Sequence, residues 1–302
     1  MSSQSATSRG DQLRPGAAFQ RILLATDFSP IAGLALDYAH VLCNRFRAKL
    51  FLVHVLPREL YFVPPEAVEE TMATAKRYAQ KELQKLVALA KLEDVAHEEI
   101  LAEGQVWPSL QDIIRSEQID LLAIGTHGRS SNKKLALGSV AEEIFRAADC
   151  PVLTVGRPTK DPNGAAVKLR NLLYATNFKP HAERASSVAY FLEREHAANL
   201  SVVHVVEDAG EGGTAGNKIL HDFLVNRMRK TMPAECRNPC DRDFLVRFGE
   251  PGEEILHTAM ESHANLIVLG LRPGEKLAGY LPSAVAYRIA CQAPCPVLTL
   301  RR

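Results

Sequence analysis

Ile22-Leu23-Leu24-Ala25-Thr26-Asp27-Phe28-Ser29-Pro30 returns as Leu172-Leu173-Tyr174-Ala175-Thr176-Asn177-Phe178-Lys179-Pro180, an offset of 150 residues. Leu52-Val53-His54-Val55 returns at the same offset as Val202-Val203-His204-Val205. Further along the offset is 145: Gly104 corresponds to Gly249, Ile124-Gly125 to Leu269-Gly270, and Cys150-Pro151-Val152-Leu153-Thr154 to Cys295-Pro296-Val297-Leu298-Thr299. The second copy is therefore shorter by a net five residues, lost between its second and third strands. A unit written twice means two domains, over 20–156 and 168–302. A tail over 1–19 precedes them, and a linker over 157–167, rich in chain breakers and polar residues, joins them. At 302 residues the chain is long enough for two such domains with cores of their own.

Within the first copy, short apolar runs alternate with helical periodicity. Strands are expected near 21–26, 49–55, 97–103, 119–124 and 151–156, and helices near 30–46, 66–91, 107–117 and 139–147. Alternation of this kind argues for an α/β fold, here two tandem doubly wound parallel five-stranded sheets of order 3-2-1-4-5 with helices on both faces. In such a sheet a ligand sits beyond the carboxyl ends of the strands where the strand order reverses, between strands 1 and 4. Strand 1 runs out at Thr26-Asp27 and strand 4 at Gly125, so both loops converge on that crevice.

The charge balance, 36 basic against 35 acidic residues, offers no basic footprint for nucleic acid or an anionic membrane surface. No apolar run approaches the roughly 18 residues of a membrane span. Residues 1–19 lack the apolar core of a secretory signal, which points to the cytoplasm and to reduced thiols among the six cysteines.

The motif that carries chemistry follows strand 4: Gly125-Thr126-His127-Gly128, nine intervening residues, then Gly138-Ser139 leading into Val140-Ala141-Glu142. Glycines let backbone N–H groups approach an anion without a Cβ in the way, and a helix start presents its positive end. Ser139 and Glu142 have the spacing of a capping box, so Ser139 is expected to cap the helix. Arg129, directly after the second glycine, is the first choice to neutralise phosphate, ahead of Lys133 and Lys134 on the same loop.

These residues carry a resemblance. The G-x2-G-x9-G-[ST] spacing of Gly125, Gly128, Gly138 and Ser139, with A-T-D-F-S after strand 1, V-H-V on strand 2 and C-P-V-L-T-V at the last strand, resembles a tandem universal stress protein of the ATP-binding subclass. The resemblance implies ATP, or a related adenine nucleotide, with Thr26 and Asp27 beside the adenosine and the backbone around Val55 at the adenine edge. Gly125, Gly128, Arg129, Gly138, Ser139 and Val140 would line the ribose and phosphates, often with a divalent ion such as Mg on the phosphates, while His127 reads equally as a nucleotide contact or as a loop-shaping hydrogen bond. It also implies antiparallel pairing of the last strands, here within one chain, with a homodimer as a further possibility.

The second copy departs at the deciding positions. Asp27 is matched by Asn177, Gly128 by Pro273, Gly138 by Ser283 and Ser139 by Ala284, so one competent site is expected, in the first domain. Other signals weigh less. Cys236/Cys240 and Cys291/Cys295 are C-x3-C pairs, an unusual zinc spacing, and Cys295 matches an unpartnered Cys150, which favours packing. His54 and His204 read as satisfied core histidines, and Trp107 as packing. No G-x4-G-K-[ST], H-x-G-H or G-x-S-x-G motif is present, so no catalytic role is assigned and at most slow ATP turnover is expected.

Overall fold

The computed structural model describes residues 19–57, 64, 67–126, 136–156, 167–180, 182–207, 214–232, 242–271 and 285–301. The first half runs β1 (Arg21–Ala25), α1 (Pro30–Phe46), β2 (Lys49–Leu56), α2 (Val68–Leu89), β3 (His97–Glu103), α3 (Val106–Ser116), β4 (Leu121–Gly125), α4 (Ser139–Ala147) and β5 (Val152–Val155). The second half repeats it with β6 (Asn171–Ala175), α5 (Ala182–His196), β7 (Asn199–Val206), α6 (Thr214–Lys230), β8 (Asp243–Phe248), α7 (Pro251–Glu261), β9 (Leu266–Gly270), α8 (Val285–Gln292) and β10 (Val297–Leu300). The expected α/β class holds, and strand bounds fall within two residues of the sequence reading. The five missing residues fall around the helix after the second strand, where α6 has 17 residues against 22 in α2.

Each half is parallel within itself, in the expected order, but the two do not form separate sheets. They form one ten-stranded sheet, β3-β2-β1-β4-β5-β10-β9-β6-β7-β8, joined by antiparallel pairing of β5 with β10. The reason lies in the two edge strands. All four residues of β5 and all four of β10 are buried, and an apolar edge with open backbone groups is stable only when paired or covered. At the joint Leu298 stands opposite Leu153. Thr154 Oγ1 donates to the Val297 carbonyl and Thr299 Oγ1 to the Val152 carbonyl, both at 3.2 Å, so the repeat's threonines reinforce the seam from each side.

Strand residues alternate between faces, and the core divides accordingly. On one face a single apolar cluster runs through both halves, from Ile22, Leu24 and Leu52 to Leu172, Val202 and Leu298. There α1 and α5 lie together, with the Phe46 and Phe191 rings 5.4 Å apart. On the other face each half has its own cluster, with one trespass: Tyr287 and Ala290 of α8 pack into the cluster of the first half. The strand starts are tied in the same way twice. Asp120 accepts the N–H groups of Gln20 and Arg21, and Asn265 accepts those of Arg170 and Asn171.

Because Leu153 and Leu298 are each 1% exposed and face one another, truncating either to alanine should cost about 2–5 kcal/mol of stability. The double variant should cost less than the sum, since the pair shares one contact. Guanidinium unfolding followed by far-ultraviolet circular dichroism measures all three.

Candidate functional site

The strand 1 turn is the first wall of the site, and hydrogen bonds close to the chain build it. Thr26 Oγ1 accepts the Phe28 N–H at 3.0 Å, and Asp27 Oδ1 accepts the Ser29 N–H at 3.0 Å. Phe28 is held at φ 62°, a left-handed conformation a bulky residue seldom takes without support. The support is local: its ring lies 4.4 Å from the His54 ring, whose Nδ1 is 2.8 Å from the Thr26 carbonyl. Ser29 then caps α1 through its Oγ, which accepts the Ala32 N–H, and Pro30 occupies the first turn, where no N–H is needed.

The second wall comes from β4 and the segment that follows it. Gly125 allows β4 to approach α1, because a Cβ there would stand 3.0 Å from Ile31 Cγ2 and 3.4 Å from the Ala32 nitrogen. The glycine-rich loop leaves at Thr126 and returns at Gly138, and the two ends are clasped by the Gly138 N–H donating to the Thr126 carbonyl at 2.8 Å. Gly138, not Ser139, occupies the cap position of α4. The expected capping box does not form: Ser139 is already the first helical residue, and the cap residue, Gly138, has no side chain to offer. Glu142 bonds instead to Arg146 on its own helix and to Tyr287 of the second half. Among the described residues no side chain accepts from the first-turn N–H groups of α4, and Ser139 and Val140 border open space.

That space is a cavity of about 360 Å³ at the carboxyl ends of β1 and β4. Of the residues expected to form a site, Thr26, Asp27, Val55, Gly125, Gly138, Ser139 and Val140 border it together. His127, Gly128 and Arg129 lie outside the described residues, as do Lys133 and Lys134. The sequence reading missed Thr126, His54 and Val106, which also line the cavity. Thr126 stands between two motif positions, and that was the available signal; Val106 had none. A cavity bordered by apolar side chains, a carboxylate and a helix start suits a flat heterocycle joined to an anion.

The second half builds the same turn. Thr176 Oγ1 accepts the Phe178 N–H at 3.1 Å, Asn177 Oδ1 accepts the Lys179 N–H at 3.1 Å, and His204 Nδ1 lies 2.8 Å from the Thr176 carbonyl. Its cavity is smaller, about 220 Å³, with Asn177, Lys179 and Glu207 among its lining residues. The substituted positions Pro273, Ser283 and Ala284 lie outside the described residues, and so do Cys236 and Cys240. Cys291 and Cys295 are free thiols, with Cys295 pushed up to about 12 by burial. Among the described residues no group of three or more His, Cys, Asp or Glu side chains is placed to hold a metal, and no helix is long and apolar enough to cross a membrane.

A profile of the universal stress protein family matches the chain twice, over residues 18–156 and 168–301. Universal stress protein YxiE of Bacillus subtilis is 29% identical over 147 residues, covering 45% of this chain and 99% of that one. A universal stress protein of Mycolicibacterium smegmatis is 23% identical over 296 residues, 93% of this chain and 96% of that one. The crystal structure of a universal stress protein from Archaeoglobus fulgidus superimposes with a TM-score of 0.67 at 20% identity, covering 96% of this chain and 99% of that one, which establishes likeness of fold across both halves.

His204 offers a pH test of the duplicated turn. Its pKa is lowered from 6.5, chiefly by burial and further by the nearby Arg227, against the opposing bond to the Thr176 carbonyl. The folded state therefore refuses a proton that the unfolded chain accepts below about pH 6.5. Stability should fall as pH drops through 6.5 toward the lowered folded value, and His204→Gln should flatten that decline. Thermal unfolding midpoints between pH 7.5 and 5 give the slope for both proteins.

Proposed function

The chain belongs to the universal stress protein family, a stress-response family, and on that premise we propose that its first half binds ATP or a related adenine nucleotide in the cavity between β1 and β4. The observation that carries the reading is that the start of α4, with glycine at its cap position, borders the same cavity as Asp27. Phosphates are the ligand chemistry that a free helix N-terminus beside glycines favours, because the N–H groups and the helix dipole act on the same charge. The cavity volume of about 360 Å³ falls within the roughly 300–1,000 Å³ of small-molecule sites.

In this reading Thr26 and Asp27 contact the adenosine, the β2 backbone at Val55 meets the adenine edge, and Gly125, Gly138, Ser139 and Val140 hold ribose and phosphate. His127, Gly128 and Arg129 complete the loop over the phosphates. A magnesium ion would ride on the phosphates, since the described residues offer it no protein cage. The second half, with Asn177 for Asp27 and a broken glycine motif, is a partner domain and not a second site of equal strength. The protein then acts in the cytoplasm by nucleotide-dependent conformation or partner binding, with its domains 20–156 and 168–302 paired through β5 and β10 inside one chain.

Titration calorimetry with ATP should give one site per chain; two equal sites would refute the asymmetry. Gly138→Asp is the sharper variant. Gly138 has φ −62° and ψ 156°, extended values that aspartate adopts freely. Aspartate at a cap position accepts the first-turn N–H groups, so the fold should be as stable or slightly more so. The same carboxylate would occupy the phosphate position, and ATP affinity should fall by at least about tenfold.

A further inference from the structure

The helix that opens onto the first cavity is held from outside by the second half. α4 is nine residues long and has a glycine, which offers no side chain, at its cap position. Its inner flank packs on its own half through Ala141, Ile144 and Phe145. Its outer flank meets α8: the Tyr287 ring stands edge-on to Phe145 at 5.9 Å, and the Tyr287 hydroxyl lies 3.5 Å from Glu142 Oε2. Leu137, the residue immediately before the cap glycine, packs in the same apolar cluster as Tyr287. At the other end of α4, the Arg301 guanidinium donates to the Arg146 carbonyl at 2.9 Å and to the Phe145 carbonyl. Those are last-turn carbonyls with no helical partner, and a cation there also favours the helix dipole.

The repeat explains how such a contact arises. Tyr287 is the counterpart of Glu142 at the repeat offset of 145, so two copies of one sequence position face each other across the seam. In a pair of identical halves this position would set glutamate against glutamate or tyrosine against tyrosine. Divergence within one chain allows a donor to meet an acceptor, and Tyr287 is 7% exposed, so the hydroxyl works in a setting where an unmade hydrogen bond is costly.

We propose that Tyr287 and Arg301 are positioning residues for the nucleotide site of the other half: they set the axial and angular position of α4, and with it the N–H groups of Ser139 and Val140. The inference rests on the ATP reading above. Neither side chain lines the cavity, so both act through α4. Hydrogen bonds to phosphate require donor–acceptor distances of about 2.7–3.2 Å, and a short helix pinned only on one flank would not hold that tolerance.

The test compares ATP, AMP and adenosine by calorimetry on the full chain and on Tyr287→Phe, Arg301→Ala and the double variant. Tyr287→Phe keeps the ring against Phe145 and removes only the hydroxyl. Each single variant should weaken ATP about threefold, and the double variant about tenfold, in line with modest net hydrogen bonds. The loss should shrink from ATP to AMP and vanish for adenosine, because α4 meets only the phosphates. Equal losses for all three ligands would mean a structural role and overturn the proposal, as would unchanged ATP affinity in the double variant while the wild-type chain binds ATP. A wild-type chain that binds none of the three would overturn the nucleotide reading and this inference with it.

Discussion

The pairing of β5 with β10 is the contact on which the rest of the molecule depends. Each half, taken alone, ends in a four-residue strand that is apolar on both faces and open along one backbone edge. Antiparallel pairing satisfies that edge, and Thr154 and Thr299 add a hydroxyl bond from either side. Once the seam forms, everything near it is arranged about an approximate twofold. The α1 and α5 helices share one apolar core, while on the opposite surface Tyr287 of α8 meets Phe145 and Glu142 of α4. A sheet edge that would invite aggregation becomes the axis of a two-domain protein.

The same duplication separates what is structural in the site from what is chemical. The turn after the first strand of each half is built alike, with a threonine hydroxyl, a left-handed phenylalanine and a histidine bonded to the threonine carbonyl. Features that recur in both halves belong to the architecture of the turn. Features that differ mark the half proposed to bind nucleotide: the carboxylate of Asp27 where the other half has the amide of Asn177, and the larger cavity below α4. Gly125 belongs with the shared architecture: it lets β4 approach α1, and its counterpart Gly270 borders the cavity of the second half as Gly125 does that of the first.

Much of the fold was legible in the chain because parallel strands buried on both faces leave continuous apolar runs, such as Leu121 to Ile124. Helix α1 was expected near 30–46, and the structure shows its start set locally, by the Ser29 cap and by Pro30 in the first turn. Gly125 and Gly138 were named from the spacing of the glycine motif, Asp27 and Val55 from the family resemblance, and all four border one cavity. The capping box failed for a physical reason. The S-x-x-E spacing reads the same whether serine caps a helix or begins it, and the clasp between Gly138 and Thr126 is what decides the start.

The sequence by itself determined the repeat, the order of strands and helices, and the convergence of two loops at one crevice, because each depends on neighbours or on periodicity along the chain. The family resemblance already implied that the last strands pair; tertiary structure alone decided that Gly138 and not Ser139 takes the cap position of α4, and that Tyr287 and Arg301 hold a helix of the other half. Those contacts join residues about 145 or more positions apart. No local propensity encodes such a meeting; it exists only because the seam between β5 and β10 brings the two copies together.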